Sequence, residues 1–182
     1  TATITAVDDR LDEGAQQDAL TVLAVSRDEA YDGQGGPALV PLAIIDNDRA
    51  GVAVSESSLT LFESPAGVLE ETYHVSLTSQ PTADVIVAMT ATPSDPTFHV
   101  NPSTLTFTVA NWNVEQTVRL WSEQDLEDAD DLTVTVSHAA SSTDPRYGPG
   151  LAIADVVVMV YDNTLPPIAR IRPAGGAAAL TL

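Results

Sequence analysis

Apolar residues recur at every second position through long stretches of this chain. Leu105, Phe107 and Val109 alternate with Thr104, Thr106 and Thr108, and Leu132, Val134 and Val136 alternate with Thr133, Thr135 and Ser137. Tyr73, Val75 and Leu77 alternate with Thr72, His74 and Ser76. A period of two puts one class of residue on each face of an extended strand, which predicts strands with one buried face. Val85–Met89 and Val156–Val160 are unbroken apolar runs and are expected to be central strands. Thr and Val, both favoured in strands, are abundant. Turn residues punctuate the pattern at Ser64–Gly67, Gln80–Thr82, Pro93–Pro96, Asn101–Ser103 and Gly148–Gly150. No stretch carries a helical period, so the chain reads as all-β.

The pattern also repeats. Ser26-Arg27-Asp28-Glu29-Ala30-Tyr31 resembles Ser142-Thr143-Asp144-Pro145-Arg146-Tyr147, and Ile45-Asp46-Asn47-Asp48 resembles Tyr161-Asp162-Asn163-Thr164. Tyr31 and Tyr147 lie 116 residues apart, as do Asp46 and Asp162, and the same offset puts Asp9 on Asp125 and Asp12 on Asp128. Leu20-Thr21-Val22 matches Leu132-Thr133-Val134 better, which calls for a gap of a few residues there. Residues 1–48 are therefore expected to be the C-terminal half of one repeat and 49–164 a complete repeat. After Pro166-Pro167, residues 165–182 are expected to be a linker and the first strand of a following domain. The opening Thr1-Ala2-Thr3-Ile4-Thr5 reads as the middle of a strand, so the chain is expected to be an excerpt of a longer polypeptide. About seven strands in each complete repeat suit an immunoglobulin-like antiparallel β-sandwich.

Charge narrows the function. Acidic residues number 26 against seven basic ones, all arginine, for a formal net charge of −19. Nucleic-acid binding needs a basic face, which excludes that partner class, and an anionic membrane surface is disfavoured on the same ground. No run of apolar residues is long enough to span a bilayer, so direct membrane insertion is not expected. Cysteine is absent, so an extracellular sandwich of this kind must be stapled by something other than disulfides. Self-repulsion at this charge opposes compaction unless cations neutralise it.

The acids gather where strands end, at Asp8-Asp9-Arg10-Leu11-Asp12-Glu13, at Asp46-Asn47-Asp48, and from Glu123 to Asp131. Calcium takes six to eight oxygen ligands, largely carboxylates and carbonyls, and short acidic loops meeting at one pole of a sandwich supply them. The second repeat is poorer, with Gln124 and Thr164 where the first has Asp8 and Asp48. None of the loops has the glycine and closing glutamate of an EF-hand. Paired carboxylates could serve a glycosidase, but no aromatic-rich cleft accompanies them. His74, His99 and His138 are too scattered for a zinc site, and no nucleophile elbow or phosphate loop is present. Trp112, in Asn111-Trp112-Asn113, reads as a packing residue at a loop. No catalytic constellation emerges, and the chain is expected not to be an enzyme.

Leu105–Asn113 followed by Gln116-Thr117-Val118, together with Ser141–Tyr147, Leu151-Ala152 and the Asp162-Asn163 ending, resembles repeats of large bacterial and protist surface proteins. Such arrays are similar to the Calx-beta domain of sodium–calcium exchangers and integrin beta-4. The resemblance implies a Ca2+ site at one end of the sandwich. It implies Glu63 after the first strand, Asp125, Glu127 and Asp128 in the acidic loop, and Asp162 at the terminal triplet as ligands, with Asp95 from a further loop. In the preceding repeat Asp8, Asp9, Asp12, Glu13, Asp46 and Asp48 correspond. Two functions remain open at this stage. One is a structural or adhesive module of an extracellular surface protein or fibre, stiffened by calcium between neighbouring repeats, with other copies or a surface glycan or protein as further partners. The other is a calcium-responsive binding or regulatory module. The segment Ile168–Pro173 is expected to be an extended strand whose Arg170 and Arg172 face acidic surface on a neighbour.

Overall fold

Each period-two segment becomes a strand with its apolar face inward. The structure, a computed structural model, describes residues 3–33, 38–65, 68–125 and 129–163. Strands β1 (Gln16–Val22) and β2 (Ala38–Ile44) pair antiparallel into a two-stranded ribbon. Nine further strands follow: β3 (Val52–Val54), β4 (Ser58–Phe62), β5 (Glu71–Leu77), β6 (Val85–Thr92), β7 (Phe98–Asn101), β8 (Thr104–Phe107), β9 (Gln116–Ser122), β10 (Leu132–Ser142) and β11 (Val156–Tyr161). They form a five-stranded sheet in the order β4-β11-β10-β6-β8 and a four-stranded sheet in the order β3-β5-β9-β7. The protein is an all-β, immunoglobulin-like β-sandwich. Nine strands replace the expected seven because β3 and β7 are short edge pieces that sequence periodicity does not resolve. The sandwich is not wholly antiparallel either. β4 and β11 run parallel, with Val157 opposite Ser58 and Tyr161 opposite Phe62.

The core lies between the sheets. Tyr73, Val75 and Leu77 of β5 and Val118 and Leu120 of β9 face Val85 and Val87 of β6, Val134 and Val136 of β10, and Val156, Val158 and Val160 of β11. The continuous apolar runs are the internal strands β6 and β11. Their outward residues Ile86, Val157 and Met159 remain partly exposed. Val109, which continues the sequence alternation, lies beyond β8 and is exposed. The strand stops short because the Asn111 carboxamide oxygen accepts from the Thr108 amide and hydroxyl and turns the chain. Trp112 packs against the core, and its carbonyl accepts from the Leu77 amide at 2.9 Å, as its loop-packing reading requires. His138 is fixed as the tautomer that donates from Nδ1 to the Ala154 carbonyl (2.8 Å), leaving Nε2 to accept from the Tyr73 hydroxyl at 3.0 Å. Burial holds its pKa below the usual histidine value.

A corner closes the end of β10. Asp144 Oδ1 accepts from the Arg146 amide (2.9 Å) and Oδ2 from the Thr82 amide (2.7 Å), while the Asp144 amide donates to Ser142 Oγ. This starts a short 3-10 turn, Pro145–Tyr147, that drives Tyr147 into the core. There its hydroxyl donates to the carbonyl of the buried Ser79 at 2.6 Å and accepts from the Ser79 amide at 3.3 Å. The same local bonds recur after β1. Asp28 Oδ1 accepts from the Ala30 amide and the Asp28 amide donates to Ser26 Oγ, but Tyr31 is exposed. The ribbon register also coincides with that of β10 and β11. At the 116-residue offset, Gln16 opposite Ile44 falls on Leu132 opposite Val160, and Leu20 opposite Val40 falls on Val136 opposite Val156. No gap is present between the paired strands. Asp18 then falls on the buried Val134, and that mismatch is why the sequence alone favoured a gap.

Tyr147→Phe keeps the ring but strands the buried amide and carbonyl of Ser79. Such a loss should cost about 1–3 kcal/mol. Chemical denaturation should show a lower midpoint with an unchanged slope.

Candidate functional site

The candidate acidic ligands that are described fall into two groups at opposite ends of the sandwich. The first lies where the ribbon runs into the sandwich. β2 ends at Ile44 and the chain reaches β3 through Asp46–Gly51, with residues 8–14 alongside. Asp46 organises this joint. Its Oδ2 accepts from the amides of Glu13 (2.6 Å) and Gly14 (2.7 Å), and its Oδ1 accepts from the Asp48 amide (2.9 Å). These amide bonds, that from Asp48 foremost, hold its pKa below the usual carboxylate value. Asp48 goes the other way. Desolvation raises its pKa, and so do the carboxylates of Asp46, Asp8, Asp9 and Asp12. Asp8, Asp9, Glu13, Asp46 and Asp48 border a cavity of about 350 Å3. Asp12 borders a different one, of about 180 Å3, with Gln80, Arg146 and Tyr147.

The second group lies at the other pole, beyond the ends of β4, β9 and β11. Glu63 follows β4, Asp125 follows β9, Asp162 follows β11, and Asp95 sits in the β6–β7 loop. The Glu63 pKa is raised by desolvation first, then by Asp125, Asp162 and Asp95. Its Oε2 is buried without a hydrogen-bond partner. Asp95 is held ionised, chiefly by the Thr97 hydroxyl. Neighbouring backbone fixes the rest. Asn163 Nδ2 donates to the Glu63 carbonyl (2.6 Å), and the Ala129 amide donates to Asp162 Oδ2. Glu127 and Asp128 lie outside the described residues, as does the 165–182 segment with Arg170 and Arg172.

Sequence reasoning missed two participants. Asp131 Oδ1 accepts from the Asp162 amide at 3.2 Å. Its counterpart at the repeat offset is Ala15, so the repeat gave no signal. Arg146 reaches Asp12 Oδ1 at 3.0 Å, and its counterpart is Ala30. Glu123, within the acidic run, pairs with His99 at 3.2 Å, and His74 bonds to Thr117 on the outer face of the four-stranded sheet.

The donor set suits a hard cation. Every group is an oxygen, both groups are crowded, and Glu63 presents a buried oxygen with nothing to bond. The arrangement is open. Among the described residues, no three His, Asp or Glu side chains stand close enough to share one metal ion. Also among the described residues, no helix is long and apolar enough to cross a membrane.

No protein-family model matches the chain, and no curated protein does. Among solved structures the neighbours are immunoglobulin-like and PapD-like β-sandwich domains. The periplasmic chaperone SfaE is 13% identical with a TM-score of 0.46, over 64% of this chain and 61% of its own. The apo-form Calx CBD1 domain is 17% identical with a TM-score of 0.44, over 62% of this chain and 98% of its own. A PapD-like domain of human CEP192 is 11% identical with a TM-score of 0.45, over 63% of this chain and 87% of its own. The chain spans less than two-thirds of the length of the periplasmic chaperones it matches, at 61%, 54% and 57%. At these scores the likeness carries no argument about what the chain does.

A raised folded pKa means that the folded state binds more protons than the unfolded one, so stability falls as pH rises through that window. Glu63 should therefore weaken the metal-free fold at pH values above its ordinary 4.5. Glu63→Gln should raise the melting temperature of metal-free protein near neutral pH. It should also flatten the decline in stability with rising pH, as followed by circular dichroism from pH 4 to 8.

Proposed function

We propose that this chain is a stretch of tandem β-sandwich repeats from an extracellular structural or adhesive protein, in which Ca2+ at the repeat ends neutralises the acidic groups and stiffens the joints. Residues 1–48 would be the closing half of one repeat and 49–164 the next. The single observation that carries the proposal is the position of the first acidic group. Five carboxylates border one cavity at the joint between ribbon and sandwich, and Asp46 there ties residues 13, 14 and 48 together. The connection through Asp46–Gly51 contains no flexible Gly/Ser linker. Asp8, Asp9, Glu13, Asp46 and Asp48 would hold one ion, and Glu63, Asp95, Asp125 and Asp162 a second. The partners would be neighbouring repeats, then other copies or a surface ligand, outside the cell. The reading assigns no chemistry to the chain and treats it as non-enzymatic.

One observation favours a second reading, that of a calcium-responsive binding module. The open arrangement of carboxylates must close on a cation, and a switch needs such a movement. Scattering profiles at micromolar and millimolar calcium separate the two. A switch changes shape at micromolar levels, while a structural extracellular site fills near millimolar.

Differential scanning calorimetry tests the main proposal. A ligand that binds only the folded state raises stability by mass action, about 2.7 kcal/mol at one hundred times its dissociation constant. The melting temperature should rise with millimolar calcium and fall back in excess EDTA. Asp46→Ala and Glu63→Gln should each remove part of that rise. Identical melting curves with calcium and with EDTA would exclude the proposal.

A further inference from the structure

Asp12 stands apart from the other acids of the first group, and its contacts point to a different task. Both its oxygens are engaged, one by the sandwich and one by the joint. Oδ1 meets Arg146 Nη1 at 3.0 Å, and Oδ2 accepts from the Ala50 amide at 2.8 Å. Its side chain is 14% exposed and that of Arg146 44%, so the pair is half-buried and partly screened by solvent. The guanidinium also lies over Gly14, where a Cβ would come within 3.2 Å of Arg146 Nη2. Gly14 has φ +74°, a conformation that L side chains rarely adopt. A side chain at position 14 would strain the backbone and press the guanidinium aside by a few tenths of an ångström.

Other bonds fasten the same joint. The Gln80 amide donates to the Arg10 carbonyl at 2.7 Å. Thr78 Oγ1 donates to the Arg49 carbonyl at 2.6 Å, and the Thr78 amide donates to the Gly51 carbonyl at 3.0 Å. Both chain segments of the joint, 10–14 and 49–51, are thus bonded to the β5–β6 turn or to the corner that follows β10.

We infer that the ribbon is latched to the sandwich by Asp12 and Arg146, with Gly14 making room, and that this latch sets how the ribbon lies on the sandwich before any cation binds, calcium at the neighbouring carboxylates then stiffening a joint already oriented. Asp12 belongs to the latch and not to a metal-ligand set. The inference stands whether or not calcium binds, so its test and that of the calcium reading fail separately.

The chain has no cysteine, so two introduced ones are unique labelling sites. Nitroxide labels at Thr21→Cys on the ribbon and Thr60→Cys on the sandwich, both at exposed positions, report the joint by pulsed electron paramagnetic resonance. In EDTA the otherwise unchanged chain should give one narrow distance distribution. Arg146→Ala and Asp12→Ala should each broaden it at least twofold, while the sandwich keeps its circular dichroism spectrum. Asp12→Ala leaves Arg146 and the Asp144 corner chemically intact, which guards against an Arg146 variant that fails to fold. A distribution that is broad in EDTA and narrows only with calcium would overturn the latch. So would distributions that stay narrow in both variants.

Discussion

Repulsion between carboxylates at the strand ends governs much of how this protein is put together. The sandwich core needs no help from charge, because its strands supply an unbroken apolar interior. The loops at its two poles are different. Asp48 sits among four other aspartates, and Glu63 among three, with one of its oxygens buried and unbonded. Like charges this close must be offset by amide donors, by arginine, by protons or by cations. The structure uses the first two wherever it can. Asp46 takes three amides, Asp95 takes Thr97, and Asp12 takes Arg146. Asp48 and Glu63 are the two whose carboxyls burial and crowding push toward the protonated form.

Much of the fold was legible in the sequence, and the reason is local. Period-two alternation in β5, β8 and β10 comes from one buried face per strand, which any reader of the sequence can see. The unbroken runs of β6 and β11 read correctly as central strands. What escaped was set by pairing rather than by periodicity. The parallel junction of β4 and β11, the short strands β3 and β7, and the ungapped register of the ribbon depend on partners distant in sequence. Val109 shows the limit from the other side, since its alternation is perfect yet Asn111 turns the chain before it.

The acidic residues show the same division. Their clustering at strand ends was visible, and the repeat offset related Asp9 to Asp125 and Asp46 to Asp162. Asp12 followed the pattern of its neighbours in sequence but faces Arg146, a residue that the other repeat lacks. Asp131 joined the second group with no counterpart to announce it. A sequence offset relates only positions where both segments carry the same kind of residue, and Asp131, with Ala15 at the offset, is not one of them.

The parallel pairing of β4 with β11 has a mechanical consequence. β4 enters near the start of the sandwich and β11 leaves at its end, and the two lie side by side over five residue pairs, Ser58–Phe62 against Val157–Tyr161. Tension along the chain pulls the start of one and the end of the other in opposite directions, parallel to their length. The hydrogen bonds between them are then loaded together in shear instead of being unzipped in turn. β3, paired antiparallel with β5 over only three residues, would yield first and spare the clamp behind it. A sandwich closed in this way resists stretching along its own chain.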